Sequence, residues 1–150
     1  MADKEFMNIA LKEAEKALKR GDYPAGCVIV KNGKLIVKSS SSKLTTKDAT
    51  AHAEINAIRK ACKLLNSSFL DGCIVYITVE PCLMCANAII RARIKKVIYG
   101  TEHKEYGTKK SFDILKENKI GTDIKVIEGI KELESKRLVK QFMDSVGVVE

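Results

Sequence analysis

The clearest chemical signal in the sequence is a pair of cysteines three positions apart. Cys82 and Cys85 follow Pro81 in the stretch EPCLMC, residues 80 to 85. Proline suits the first turn of a helix, and residues three apart on a helix share one face, so both sulfur atoms can reach the same point. The N-terminal end of a helix also favours negative charge, and therefore the thiolate that binds metals. The pair could serve either a metal ion or a redox reaction.

The position of this pair favours the metal. A redox pair is expected next to the first strand of a thioredoxin-like unit, whereas this pair follows the third predicted strand. A tetrahedral zinc site needs more ligands, and His52 is the best third one. It stands where a helix is predicted to begin, after Asp48 or Thr50 as the capping residue. A lone histidine near a helix start is more often a capping or hydrogen-bonding residue, but the downstream cysteine pair reverses that preference.

The remaining candidates for a fourth ligand are weak. Of the five cysteines, Cys27 and Cys73 lie inside predicted strands and Cys62 lies on the flank of a predicted helix. All three are interpreted as small core residues. Three protein ligands with one open position are typical of a catalytic zinc site rather than a structural one. His103 is the alternative, because the zinc would be structural if this histidine completed its coordination.

Glu54 stands two residues after His52 in the stretch TAHAEINAI, residues 50 to 58. Zinc lowers the pKa of bound water towards neutrality, and a carboxylate held beside the metal can carry the proton that this water releases. Near the end of a helix, His52 can face the metal while Glu54 reaches the space next to it. The alternative is a solvent-facing glutamate, which would be preferred if the zinc ligands were absent. The motif therefore predicts a catalytic zinc site with Glu54 as its proton carrier.

Alternating helices and strands would position these residues. Asn32-Gly33 between two apolar runs is the strongest short signal for a β-hairpin. Strands that alternate with helices from residue 73 onward imply parallel pairing there, whereas the hairpin is antiparallel. We therefore predict an α/β fold, a three-layer αβα sandwich with a mixed five-stranded sheet. The predicted helices are 6–22 (ended by Gly21), 50–66, 82–94, 111–118 and 131–146, and the predicted strands are the two runs of 25–40, then 72–80, 95–100 and 123–129.

The composition limits the class of protein. Hydrophobic residues make up 45% of the 150 residues, which excludes a disordered chain and predicts a single domain over 1–150. The first ten residues are charged and no apolar run is long enough to cross a bilayer, so we expect a cytoplasmic protein with no membrane partner. The net charge of +8 is compatible with an RNA partner, although scattered lysines and glutamates are also typical of an ordinary solvated surface.

Together, the histidine–glutamate and proline–cysteine motifs resemble the signature of the cytidine deaminase-like superfamily. The chain is most similar to the branch that holds tRNA adenosine deaminases, guanine deaminases and fungal-type cytosine deaminases. The resemblance covers nearly the whole chain. It is carried by PAGCVIVKNGKLI (24–36), ATAHAEINAIRKA (49–61) and LDGCIVYITVEPCLMCANAIIRARIKKVIYG (70–100).

The resemblance implies a mechanism and a set of site residues. His52, Cys82 and Cys85 would hold one zinc ion, and water activated there would attack the ring carbon that bears an exocyclic amine. Glu54 would carry the proton from water to a ring nitrogen and then to the departing ammonia. The backbone around Ala53 would contact the substrate. Relatives in this branch are usually dimers, and the apolar helix predicted near residues 83 to 93 is a plausible contact for a homodimer.

Two departures from the relatives bear on the substrate. Many relatives have an asparagine eleven residues before the motif histidine, where it contacts the base; the same count reaches Ser41 here, and a one-residue shift would select Ser40 or Ser42. Bacterial tRNA adenosine deaminases also usually have Asp and Lys where the stretch GTEHKEYGTKKS (100–111) has His103 and Glu105. The Glu-His pair in this stretch is more similar to guanine deaminases.

These departures favour a free nucleobase or nucleoside of the guanine or cytosine type as the substrate. The first alternative is a tRNA-specific adenosine-to-inosine deaminase acting at the wobble position, which the net charge of +8 and the lysines between 104 and 110 support. A further alternative, a structural-zinc or RNA-binding module without catalysis, is opposed by the intact Glu54.

Overall fold

A five-stranded mixed sheet organises the computed structural model, which describes residues 2–103 and 110–147. The β1 strand pairs antiparallel with β2 and β3, whereas β3, β4 and β5 run parallel. The mixed sheet predicted from the sequence is therefore confirmed. The strands are β1 (Gly26–Lys31), β2 (Lys34–Ser40), β3 (Cys73–Val79), β4 (Lys96–Thr101) and β5 (Lys125–Ile127), in the spatial order β2-β1-β3-β4-β5. Most of the basic stretch 104–110 lies outside the described residues.

Helices cover both faces of this sheet, which confirms the three-layer arrangement. The first and last helices pack on one face, and the third, fourth and fifth pack on the other. The second helix is a single turn that the sequence analysis did not predict, because four residues show no apolar periodicity. The helices are α1 (Asp3–Arg20), α2 (Lys43–Thr46), α3 (Ala53–Leu65), α4 (Leu83–Arg91), α5 (Ser111–Glu117) and α6 (Glu132–Ser145).

The two faces of the sheet are built from alternate residues of each strand. In β1, Cys27 and Ile29 face the core beneath α3 and α4, whereas Val28 and Val30 face the core beneath α1. All four side chains are buried, so this central strand shows a continuous apolar run instead of an alternating pattern. None of the helices in the described part of the chain has the length and apolarity that crossing a bilayer requires.

The predicted hairpin is present between β1 and β2. Asn32 and Gly33 both have positive φ angles, 52° and 74°. Two consecutive residues of this kind form the turn whose twist matches that of the flanking strands, and asparagine followed by glycine tolerates this backbone best. This hairpin places the end of β2, with its serine run, beside the beginning of α3.

Gly26 allows α1 to approach the sheet closely at the start of β1. A Cβ atom built at this position would lie 1.8 Å from the carbonyl oxygen of Ala10 and 2.7 Å from the backbone nitrogen of Ala14. Neither atom can move without shifting α1, since both belong to the helix backbone. The absence of a side chain at Gly26 is therefore a condition for the packing of this layer.

We expect Gly26→Ala to destabilise the protein by about 3 kcal/mol, because overpacking against a rigid backbone forces α1 away from its core. The midpoint of urea denaturation measures this loss. Lys38→Ala is the control, since Lys38 is exposed on β2 opposite Val28. Equal stability of the two variants would contradict the close approach of α1.

Candidate active site

The site forms where α3 and α4 begin, side by side on the same face of the sheet. His52 is the N-cap of α3 and Cys82 is the N-cap of α4, both with extended backbone. Their carbonyl groups accept the first helical hydrogen bonds, from the N–H groups of Asn56 (3.0 Å) and Ala86 (2.8 Å). Cys85 lies in the first turn of α4. Each helix start thus fixes the backbone of the candidate metal ligands that it carries.

The predicted cap of α3 was wrong. Asp48 does not cap the helix, because its carboxylate accepts hydrogen bonds from the N–H (2.9 Å) and hydroxyl (2.7 Å) groups of Thr50, which closes a local turn. The helix consequently begins three residues later than Thr50, at Ala53. Helix α4 also ends before the predicted residue 94, since Arg93 has a φ of 64°. The left-handed backbone at Arg93 stops the helix.

The geometry of the three side chains fits a zinc ion. The Nδ1 atom of His52 lies 3.4 Å from the sulfur of Cys85 and 3.7 Å from that of Cys82. All three potential ligand atoms lie within 4.8 Å of one another. Tetrahedral zinc with ordinary bond lengths places its nitrogen and sulfur ligands about 3.6 Å apart. The distances between the His52 nitrogen and the two sulfur atoms therefore match those of a tetrahedral zinc site.

The two sulfur atoms differ in their tendency to ionise. A hydrogen bond from Cys85 and another with His52 lower the pKa of Cys82 to about 4, although burial opposes this. The hydrogen bond to Cys82, together with burial, raises the pKa of Cys85 well above its usual range. Cys82 is therefore the more readily ionised of the two, and a metal ion held by both sulfurs would require the loss of the Cys85 proton.

Among the residues that the structure describes, the ligand cluster has three members. His103 does not join it but lies elsewhere on the wall of the same pocket. Cys27 and Cys73 are buried in strands and Cys62 is half-buried on α3, as expected from the sequence. Three ligands leave one position for water or substrate, which is the arrangement of catalytic zinc sites.

Glu54 is held next to this cluster. It is the second residue of α3, and only 5% of its surface is exposed. Burial raises the pKa of this carboxyl group to about 7. A carboxyl group whose pKa lies near the working pH both accepts and donates protons efficiently. Glu54 is therefore not a solvent-facing helix residue, and its buried position suits a proton carrier.

A pocket of about 270 Å³ opens onto His52, Cys82 and Glu54, and Cys85 is buried behind it. Ala53 and Ser41, both predicted to contact the substrate, lie on its wall. The first N–H groups of a helix have no carbonyl partner within it, so the backbone at Ala53 can donate to a ligand. Ser41 is buried, and its own N–H donates to the carbonyl of Ala25 (3.0 Å). The other lining residues are Tyr23, Ala25, Lys43, Val79, Glu80 and His103.

Glu80 and His103 give the pocket a polar wall that the sequence analysis missed. Glu80 is 5% exposed, and one of its carboxylate oxygens accepts a hydrogen bond from the backbone N–H of His103 (3.2 Å). Its other oxygen and Nδ1 of His103 are buried, with no hydrogen-bond partner among the described residues. The position of Glu80 directly before Pro81 was the one available clue in the sequence.

Comparisons with known proteins agree with this chemistry. Residues 1–101 match the family described as the cytidine and deoxycytidylate deaminase zinc-binding region. A tRNA-specific adenosine deaminase of Aquifex aeolicus is 43% identical over 126 residues, which cover 83% of each chain.

Two solved structures are similar to this chain over most of its length. One, from a study of A-to-I editing by tRNA:A34 deaminases at the wobble position, has a TM-score of 0.83 and 37% identity over 89% of this chain and 98% of its own. The guanine deaminase from Bacillus subtilis has a TM-score of 0.68 and 43% identity over 76% of this chain and 75% of its own. The predicted cytidine deaminase-like fold is confirmed.

The expectation of a free nucleobase or nucleoside as substrate was wrong. The curated relative from Aquifex aeolicus and a second from Bacillus subtilis, 35% identical over 141 residues, are both tRNA-specific adenosine deaminases. The expectation gave too much weight to Ser41 and to the stretch around His103. One serine on the wall of a pocket changes a single contact, which is too little to identify a substrate.

We predict that Cys85→Ser loses zinc, because a hydroxyl group does not replace a buried thiolate ligand. Elemental analysis of the purified protein should find about one zinc per wild-type chain and far less zinc per chain in the variant. Cys62→Ser is the matched control, since Cys62 is half-buried on α3 outside the cluster. Full zinc occupancy in Cys85→Ser would contradict the ligand assignment.

Proposed function

Because the chain belongs to the cytidine and deoxycytidylate deaminase zinc-binding family, and is thus a zinc-dependent hydrolytic deaminase, we propose that its substrate is the wobble adenosine of tRNA. The observation that carries this proposal is the 43% identity to a tRNA-specific adenosine deaminase over 83% of the chain. The product is inosine, and the second product is ammonia. A cytoplasmic location belongs to the same proposal, since the substrate is a tRNA.

Different residues of the site have different roles in the proposed reaction. Zinc held by His52, Cys82 and Cys85 supplies an activated water when it is bound. Glu54 accepts a proton from the attacking water and delivers it to a ring nitrogen of the adenine. It then takes the second proton, from the hydroxyl group that water has added to the ring carbon, and passes it to the amine. The carbon–nitrogen bond breaks, the ring carbonyl forms and the amine leaves as ammonia. Burial of Glu54 supports this role, because it raises the pKa of the carboxyl group towards the working pH, where the group both accepts and releases a proton.

The wall of the pocket supports recognition of a flipped base. The Ala53 backbone and the Ser41 hydroxyl can hydrogen-bond to the edge of the base, and the unpartnered atoms of Glu80 and His103 offer two further polar contacts. Small side chains at Ala25 and Ala53 leave the space that a purine needs. A base enters such a pocket only after it leaves its stack, which a single-stranded loop allows at low cost.

The surface charge supports a nucleic-acid substrate. The net charge of +8 attracts the phosphate backbone of RNA over distances of about a Debye length. Turnover of a neutral free base would gain little from this charge, whereas binding of an anticodon loop would become strongly dependent on salt. The scattered lysines thus fit the proposed substrate.

We also propose that the protein acts as a homodimer through the outer face of α4 and α5. An open groove there is lined mainly by apolar side chains, with Asn87, Arg91 and Asn118 among them, and Met84 and Ile120 are 38% and 37% exposed. Contiguous exposed apolar residues are typical of protein interfaces. The cysteines of the zinc cluster lie at the start of the same α4, so this contact would bring a second chain near the pocket.

We predict that zinc-loaded Glu54→Gln keeps its metal and loses turnover by about 10²- to 10⁴-fold, because glutamine cannot carry a proton. Inosine formed in an anticodon stem-loop with a wobble adenosine measures the rate. Glu132→Gln, at an exposed glutamate of α6, is the control and should retain wild-type turnover.

A second stem-loop, with its only loop adenosine moved to the neighbouring position, tests the substrate. The proposal expects inosine in the first stem-loop and none in the second. Equal turnover of both RNAs, or of free adenosine at the same concentration, would contradict a wobble-specific tRNA deaminase.

We expect Ile120→Glu to convert the dimer to a monomer, because burying a carboxylate in a largely apolar interface costs free energy. Light scattering at assay concentration measures the mass. Leu133→Glu is the matched control, since Leu133 is an equally large apolar residue, 64% exposed on α6. A wild-type monomer, or a dimer in both variants, would refute the proposed interface.

A further inference from the structure

Asp22 fixes a short helix at the mouth of the pocket. Its side chain is fully buried, although it lies in the turn between α1 and β1. One carboxylate oxygen accepts hydrogen bonds from the backbone N–H groups of Leu44 (2.8 Å) and Thr45 (3.1 Å). The other accepts one from the Thr45 hydroxyl (2.7 Å). Asp22 thus binds the first turn of α2 through three donors.

The charge state of Asp22 is consistent with this role. Burial opposes ionisation, but the hydrogen bonds from Thr45 and Leu44 and the contact with Arg20 outweigh it and lower the pKa of Asp22. The carboxylate is therefore ionised at neutral pH. A helix of four residues is too short to be stable alone, so the position of α2 depends on such an anchor.

The serine run before α2 is held from two sides. The Arg20 guanidinium, 3.3 Å from the Asp22 carboxylate, also donates to the carbonyl of Ser41 (2.7 Å) and the hydroxyl of Ser40 (3.0 Å). From α3, the Asn56 amide donates to the carbonyl of Ser40 (2.9 Å) and the hydroxyl of Ser42 (3.0 Å). The backbone from Ser40 to α2 is consequently fixed relative to the zinc cluster.

Lys43 is the residue that this arrangement presents to the pocket. It is the first residue of α2 and lines the pocket opening, yet it is exposed. No carboxylate of residues 2–103 and 110–147 lies within ion-pair distance of its ammonium group. Adenine is neutral, so this cation has no partner on the base. The nearest negative charge of an RNA strand entering the pocket is a backbone phosphate.

We propose that Lys43 binds the phosphate next to the target adenosine and that Asp22 is the positioning residue that holds Lys43 there. This inference rests on the proposed RNA substrate and adds the contact that selects a nucleotide within a strand over a free base. A phosphate held at the rim fixes the strand, and the sugar and base are then directed into the pocket.

The test compares Lys43→Met with Lys47→Met in the zinc-loaded protein. Lys47 is an exposed lysine at the other end of α2 and does not line the pocket, so it is a matched control. With the wobble-adenosine stem-loop, Lys43→Met should raise KM about tenfold and leave kcat unchanged. Its plot of log(kcat/KM) against log salt should lose about one unit of slope, as expected for one lost phosphate contact. Lys47→Met should stay within about twofold of wild type.

The test of Asp22 requires a measurement that a general loss of protein stability does not change. Asp22→Asn should raise KM and keep the bound zinc and kcat, because the amide weakens the anchor without leaving a cavity. Combined with Lys43→Met, it should add little, since both changes remove the same contact. Fully additive effects of the two substitutions would show that Asp22 does not act through Lys43.

The outcomes separate this inference from the proposed function. A wild-type protein that neither binds nor deaminates the stem-loop would overturn the RNA substrate itself. A wild-type protein that deaminates it, with an unchanged KM and salt slope in Lys43→Met, would overturn only the phosphate contact. An equal loss in Lys47→Met would show a general effect of charge instead of a specific contact.

Discussion

The structure depends on the packing of two helix starts against one face of a mixed sheet. Because α3 and α4 follow β2 and β3 and pack side by side, their first turns converge on one point. The ligand atoms of His52, Cys82 and Cys85 come within 4.8 Å there, and the carboxyl group of Glu54 is buried beside them. Two buried thiolates beside a buried carboxyl group would repel one another, and Cys85 accordingly holds its proton next to the Cys82 thiolate. A bound zinc ion would compensate this negative charge and would supply the activated water.

Much of this arrangement can be predicted from the sequence, because short stretches of residues specify it. The Asn32-Gly33 turn specifies the hairpin because few other residue pairs tolerate two positive φ angles. The spacing of Cys82 and Cys85 specifies a shared helical face. The sequence did not reveal that His52 is the N-cap of α3. Aspartate is a favourable capping residue, and only the structure shows that the Asp48 carboxylate is bonded to Thr50 instead.

The parts that could not be predicted depend on contacts between distant segments. Helix α2 has no pattern of its own and exists because Asp22, more than twenty residues earlier, binds its first turn. Glu80 and His103 become a polar wall only when the ends of β3 and β4 lie side by side. The substrate was mispredicted for a related reason. The prediction relied on one position, where this chain has Ser41 and many relatives have asparagine. Recognition of an RNA involves a whole surface, and a short sequence motif does not reveal such a surface.

The proposed chemistry requires an open zinc site, and X-ray absorption at the zinc edge tests this requirement most directly. We expect one nitrogen at about 2.0 Å, two sulfurs at about 2.3 Å and one oxygen ligand that does not come from the protein. The same spectrum should change when a substrate analogue displaces that oxygen. A second imidazole or a third sulfur in the coordination sphere would rule the open site out, because a closed site leaves no position for the attacking water.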